Sequence, residues 1–144
     1  MTLDEIIAIT GKPGLYKILT QNKGNIIVES LTDKKRFPVM ALQNVSTLKD
    51  ISIYTYEAET PLRQVFLNIY TKENGIIPID LKDKGAVLAQ YFRGILPEYD
   101  EERVYTSNIK KVFSWYNALV TSDFDFKSLE ESDEESDTAA ADEN

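Results

Sequence analysis

Two groups of side chains carry most of the chemistry this sequence could do, and both suit binding better than bond-making. Lys34-Lys35-Arg36 is the densest basic cluster. On a hairpin tip it could contact phosphates, with Tyr16, Phe37 or Tyr54 nearby as stacking surface. The competing structural reading is a solvated turn whose charges protect an edge strand. Lys110, Lys111 and Trp115 form the second group, on a predicted helix, and could dock on nucleic acid or on an acidic peptide. There the alternative is a tryptophan at the rim of a core, with lysine stems covering its edges. A helix-turn-helix would need a connector of about three or four residues before this helix. The charged loop Glu98–Arg103 makes it much longer.

Other chemistry finds few residues to use. The chain has no cysteine and no histidine, which removes disulfides, thiolate catalysis and the commonest general base and metal ligand. Glu98, Asp100, Glu101 and Glu102 cluster as acids but lack the spacing and central glycine of a calcium loop. No Arg, Tyr and Asp converge for carboxylate catalysis, and Arg93 and Arg103 read as surface ion pairs. Lys12-Pro13-Gly14-Leu15 brings a lysine between glycines, but a phosphate loop needs its second glycine directly before Lys-Ser/Thr and a long helix after it. A β-rich segment follows here, so a type II turn is expected. No enzyme activity, metal or cofactor is expected.

The net charge of −8 is unevenly placed. From Ser122 onward ten acids face one base, Lys127, which leaves residues 1–121 with 14 acids and 15 bases. A 42% hydrophobic content over 144 residues is enough for a real core. No apolar run approaches the roughly 20 residues of a membrane span. MTLDEIIAIT has acids where a secretion signal has bases, so a cytoplasmic protein is expected.

The elements that must position these residues fall into two halves. Thr2 and Glu5 have the spacing of a capping box for a short helix bearing Leu3, Ile6 and Ile7, with Met1 as staple and Gly11 as stop. Leu15–Thr20, Ile26–Leu31, Arg36–Met40 and Ile51–Tyr56 read as strands, with turns at Asn22–Asn25 and Thr32–Lys35. Pro38 marks the third as an edge or bulged strand. Leu42–Asp50 reads as a loop or a single helical turn. Beyond Glu57–Thr60 the period changes. Pro61 begins a helix capped by Thr60, carrying Leu62, Val65, Phe66, Ile69 and Tyr70 and ending at Gly75. Asp83 caps a second, carrying Val87, Leu88, Tyr91, Phe92 and Ile95. Ser107 caps a third, whose Ile109, Val112, Phe113, Tyr116, Leu119 and Val120 form one apolar stripe. Trp115 lies at its edge with Lys111 beside it and Lys110 on the opposite flank.

GKPGLYKIL, DKKRFPV, LKDISIYT and VYTSNIKKVFSWYNALV, in that order, resemble a family of short, acidic-tailed bacterial proteins. It is a family of unknown function, with a barrel-like N-terminal part and a helical C-terminal part. The resemblance covers residues 1–121 and implies that architecture; no activity or ligand comes with it. The expectation is therefore an α+β chain in three parts. Residues 1–57 form a short helix plus a small SH3-like antiparallel β-barrel or curled sheet, 58–127 a three-helix subdomain, and 128–144 a disordered acidic tail tied down by Phe124 and Phe126. For function the expectation is a non-enzymatic, cytoplasmic adaptor binding another protein. The alternative is RNA or DNA binding through the barrel loop and last helix, shielded by the tail.

Overall fold

The computed structural model describes residues 2–12, 14–40 and 45–130. Strands β1 (Ile6–Ile9), β2 (Tyr16–Asn22), β3 (Asn25–Ser30), β4 (Arg36–Met40) and β5 (Val45–Thr47) form an antiparallel sheet of order β4-β3-β2-β1-β5. The sheet is open: β4 and β5 are its two edges, so the expected barrel is not closed. Pro38 lies on β4, the edge where a missing N–H costs nothing. Hairpin β2–β3 turns through Lys23-Gly24, with Gly24 in the left-handed region that a side chain would resist. Strands β6 (Ser52–Tyr54) and β7 (Glu59–Pro61) make a separate small hairpin. Helices α1 (Leu62–Glu73), α2 (Gly85–Ile95) and α3 (Thr106–Thr121) follow.

The N-terminal helix is not there. Leu3–Glu5 is a single 3-10 turn, and Ile6–Ile9 is a strand. The reason is double-sided burial. Ile6 joins the main core with the helices, whereas Ile7 and Ile9 join a second cluster with Tyr16, Val28 and Val39. A strand buried on both faces reads as an unbroken apolar run, which periodicity cannot tell from a short helix. On the helix-facing side of β2–β4 the pairing runs Lys17 to Glu29 to Arg36, a polar row next to Ile6 of β1.

The stripe on α3 is core. Ile109, Val112, Phe113, Tyr116 and Leu119 are buried, and Val120 is partly so. Phe66 of α1 meets Tyr116, and Phe92 of α2 meets Phe113, so α3 closes on both other helices. The Tyr116 hydroxyl donates to the Gly75 carbonyl at 2.8 Å, and the Ile77 amide donates to Asn117 Oδ1 at 3.0 Å. These bonds pin the α1–α2 connector to α3. Burial pushes the Tyr116 phenol up to about 12.

Helix ends differ in detail from expectation. Thr60 belongs to β7, and the Leu62 amide donates to the Ile51 carbonyl, so the hairpin itself starts α1. Asn74, in the left-handed region, ends that helix one residue before Gly75. Lys84 precedes α2 without a side-chain cap. At α3 the cap position is Tyr105, and Asn108 Oδ1 accepts its backbone N–H at 2.9 Å; Ser107 lies inside the helix. Leu42–Asp50 is partly β5 and a 3-10 turn at Leu48–Asp50. Met1, Pro13 and 41–44, which enter the staple, turn and loop expectations, lie outside the described residues.

Phe124 and Phe126 are buried, and Phe126 stacks on Tyr70 with ring centroids 4.8 Å apart. Leu129 is buried too, so the folded part runs past residue 127. The acidic segment 131–144 lies outside the described residues.

Candidate functional site

One face of α3 packs into the core and the other forms a wall. Ser107, Lys110, Lys111, Ser114 and Trp115 recur at i, i+3, i+4, i+7 and i+8, which puts them on one side of the helix. Opposite them stands the β1–β2 turn, with Thr10, Gly11, Lys12 and Gly14. Gly11 and Gly14 both have positive φ, which lets the chain reverse tightly there. Between wall and turn is an open cleft of about 610 Å³, floored by Ala8, Ile9 and Ile51. Lys110 and Lys111, expected on opposite flanks of the stripe, both line it.

A second recess of about 200 Å³ adjoins the first and shares Ile51, Lys111 and Trp115 with it. Its other wall brings in Tyr54, Arg103 and Asn108. The Arg103 guanidinium lies 4.4 Å above the centre of the Tyr54 ring. Asp100 fixes it there: Asp100 Oδ2 accepts from Arg103 Nε at 2.8 Å, and Oδ1 accepts the Glu102 amide at 3.0 Å. That hydrogen bond from Arg103 is the main reason the Asp100 carboxyl is held below the usual carboxylate range. The loop is tied to β6 as well, because the Asp100 amide donates to the Tyr54 carbonyl at 2.9 Å. Arg93 pairs with Glu101. Both arginines therefore sit in the ion pairs the sequence suggested.

Electrostatics favour an anion. Lys12, Lys110 and Lys111 line one cleft, and among the described residues no acidic side chain lines either space. The Lys12 ammonium is steadied by the Phe37 ring, 4.3 Å from its centre. Lys110 and Lys111 are exposed and form no ion pair among the described residues. Trp115 is half-buried, anchored against the main core while lining both spaces.

Lys34, Lys35 and Arg36 are not part of this arrangement. Lys34 and Lys35 are exposed on the β3–β4 turn, and Lys34 has a positive φ of 64°. The turn is held by Asp33 Oδ1 accepting the Lys35 amide at 3.0 Å and by the Lys34 amide donating to the Ser30 carbonyl at 3.0 Å. Arg36 Nε donates to Glu29 Oε2 at 2.9 Å across the sheet. The stacking residues expected beside the cluster are dispersed: Tyr16 is buried edge-on against Phe37, and Tyr54 lies by the α3 recess.

Sequence reasoning missed Lys12 as a partner of α3, because only the fold brings the turn to the helix. It missed the Tyr54–Arg103 layer for the same reason. The one available signal was the polar spacing Ser107, Lys110, Lys111, Ser114 and Trp115 opposite the apolar stripe. Among the described residues no three His, Cys, Asp or Glu side chains are grouped to hold a metal ion. No helix of the described residues is long and apolar enough to cross a membrane.

The chain is similar to known families in two stretches. Residues 3–48 match the model of a domain of unknown function (DUF5606), and residues 51–119 match that of a second domain of unknown function (DUF6852). A solution NMR structure of a Bacteroides vulgatus protein, a structural-genomics target, is 42% identical, with a TM-score of 0.71. The match covers 86% of this chain and 89% of that one. The chain belongs to the family of that uncharacterised protein, and in this chain the two domains of unknown function follow one another. No curated protein matches it. The cleft takes Lys12 from the first domain and Lys110, Lys111 and Trp115 from the second, so it lies at their junction. Junctions between domains are a preferred place for ligand sites.

Proposed function

We propose that the protein is a non-enzymatic, cytoplasmic interaction module that holds an anionic partner in the cleft between α3 and the β1–β2 turn. One observation carries this: two exposed lysines of α3, with Lys12 on the turn opposite, line one space with a half-buried tryptophan, and no acidic side chain lines it among the described residues. Solvated lysines scattered over a surface are ordinary. Their convergence from two separate domains on one aromatic anchor is not required for packing, since Lys110 and Lys111 are exposed. Binding residues with this pattern, an aromatic beside cations, concentrate affinity where water is excluded. An adaptor that captures a protein would work through the same surface.

Trp115 is the only tryptophan, so its fluorescence reports on the cleft directly. Heparin hexasaccharide added at low salt should change that fluorescence saturably. The change should fade toward about 0.5 M salt, where the screening length is only about 4 Å. In the double variant Lys110→Glu, Lys111→Glu it should be absent. Fluorescence indifferent to heparin at low salt would contradict the proposal.

A further inference from the structure

Resting on that reading of the cleft, we infer that the anionic partner is a single strand of nucleic acid. Its bases stack on Trp115 and on the Tyr54–Arg103 layer, and its phosphates lie against Lys111, Lys110 and Lys12. An acidic peptide would need the lysines alone. The neighbouring recess offers more than charge. Tyr54 is 42% exposed, and the guanidinium above its ring, paired to Asp100, extends it into a flat layer. Trp115 stands across the same recess, and Lys111 lines both spaces beside it.

The order of groups is thus aromatic, cation, aromatic, then cations. That alternation suits a strand whose planar bases and charged phosphates also alternate, and base–aromatic stacking tolerates any sequence. The recess of about 200 Å³ has room for an unstacked base and none for a base pair held within a duplex. Asn108 adds one polar group at its edge: its Oδ1 accepts the Tyr105 amide, so Nδ2 is the atom that can donate to a base.

Fluorescence anisotropy of labelled hexanucleotides on the full chain tests this, with single-stranded RNA, single-stranded DNA and a duplex compared. Heparin hexasaccharide and a poly-glutamate peptide serve as competitors. Single strands should bind at low salt, with log affinity falling against log salt at a slope of about −2 for three lysine–phosphate contacts. Tyr54→Ala should weaken them about fivefold or more, and Trp115→Leu, which keeps an apolar anchor, should do likewise. Tyr54→Ala, which lies outside the lysine cleft, should not alter heparin binding by more than about twofold, and the duplex should bind more weakly than either strand. RNA and DNA binding alike supports stacking alone, and RNA favoured over DNA supports it with a contact to the 2′-hydroxyl. If heparin binds but both aromatic variants hold single strands as the parent does, the nucleic-acid inference fails and the anionic cleft stands. Poly-glutamate displacing the strand at equal charge would assign the cleft to an acidic protein, also overturning the inference. If no polyanion binds at low salt, the inference and the cleft proposal both fail.

Discussion

The β3–β4 tip and the α3 cleft each display three basic side chains, and the fold uses them in opposite ways. At the tip, Lys34-Lys35-Arg36 are adjacent in sequence, but Arg36 is drawn into a cross-strand pair with Glu29. The remaining two stand on a turn held by Ser30 and Asp33. In the cleft, Lys12 is about a hundred residues from Lys110 and Lys111, yet all three line one space with Trp115. Density along the chain marks a solvated turn. Gathering in space, around a group anchored in the core, is what we propose as a surface that selects a partner.

Breaking the support of the cleft should have the largest effect. Phe113 is fully buried on the core face of α3, and Phe113→Ala should cost about 3–5 kcal/mol in a denaturant titration. Changes at exposed Lys34 and Lys35 should stay within about 0.5 kcal/mol. Stability untouched by Phe113→Ala would mean that α3 is not seated in the core as described.

Next in size is the charge contrast itself. Lys110→Glu with Lys111→Glu should lower polyanion affinity at least about tenfold and reduce the salt slope by about one or more. The matching pair at the tip, Lys34→Glu with Lys35→Glu, should change affinity less than about threefold. Equal losses from the two pairs would erase the distinction between the regions.

A smaller effect sharpens the role of the loop. The Asp100 carboxyl is held below its ordinary value by Arg103, so its contribution to stability is present above the unfolded-state value of about 4. It is lost as pH falls through the lower folded-state value. Thermal melts from pH 6 to pH 2 should therefore fall more steeply in the parent than in Asp100→Asn. Parallel melting curves would show that the pair does not hold the loop.

The smallest expected effect on stability comes from the acidic segment. Removing 131–144 should leave the melting temperature nearly unchanged, since the buried anchors Phe124, Phe126 and Leu129 remain. The same truncation removes seven acids and no base. Polyanion affinity should rise several-fold at low salt, a gain that vanishes near 0.5 M with screening lengths of about 4 Å. A fall in affinity on truncation would contradict the electrostatic account.

What was legible in the sequence followed periodicity and turn chemistry. The stripe from Ile109 to Leu119, the edge position of Pro38 and the Lys23-Gly24 turn are local patterns with one physical solution. Ile6–Ile9 was illegible as a strand because burial on both faces erases alternation. Barrel closure was equally out of reach: strand count and spacing say nothing about whether β4 and β5 meet, and here they remain edges. At the site, Lys110, Lys111 and Trp115 could be named from one helix. Lys12 reaches them only through the packing of two domains, and Tyr54 and Arg103 only through the folding of the second domain on itself.

The central claim is that the cleft, and not the tip, is the working surface, and amide chemical-shift mapping tests it most directly. On addition of a single-stranded hexanucleotide to the full chain, perturbed amides should gather at Gly11, Lys12, Ser52–Tyr54 and Ser107–Trp115. Thr32–Arg36 should stay still. Perturbation centred on Thr32–Arg36, with the α3 amides unmoved, would contradict the account.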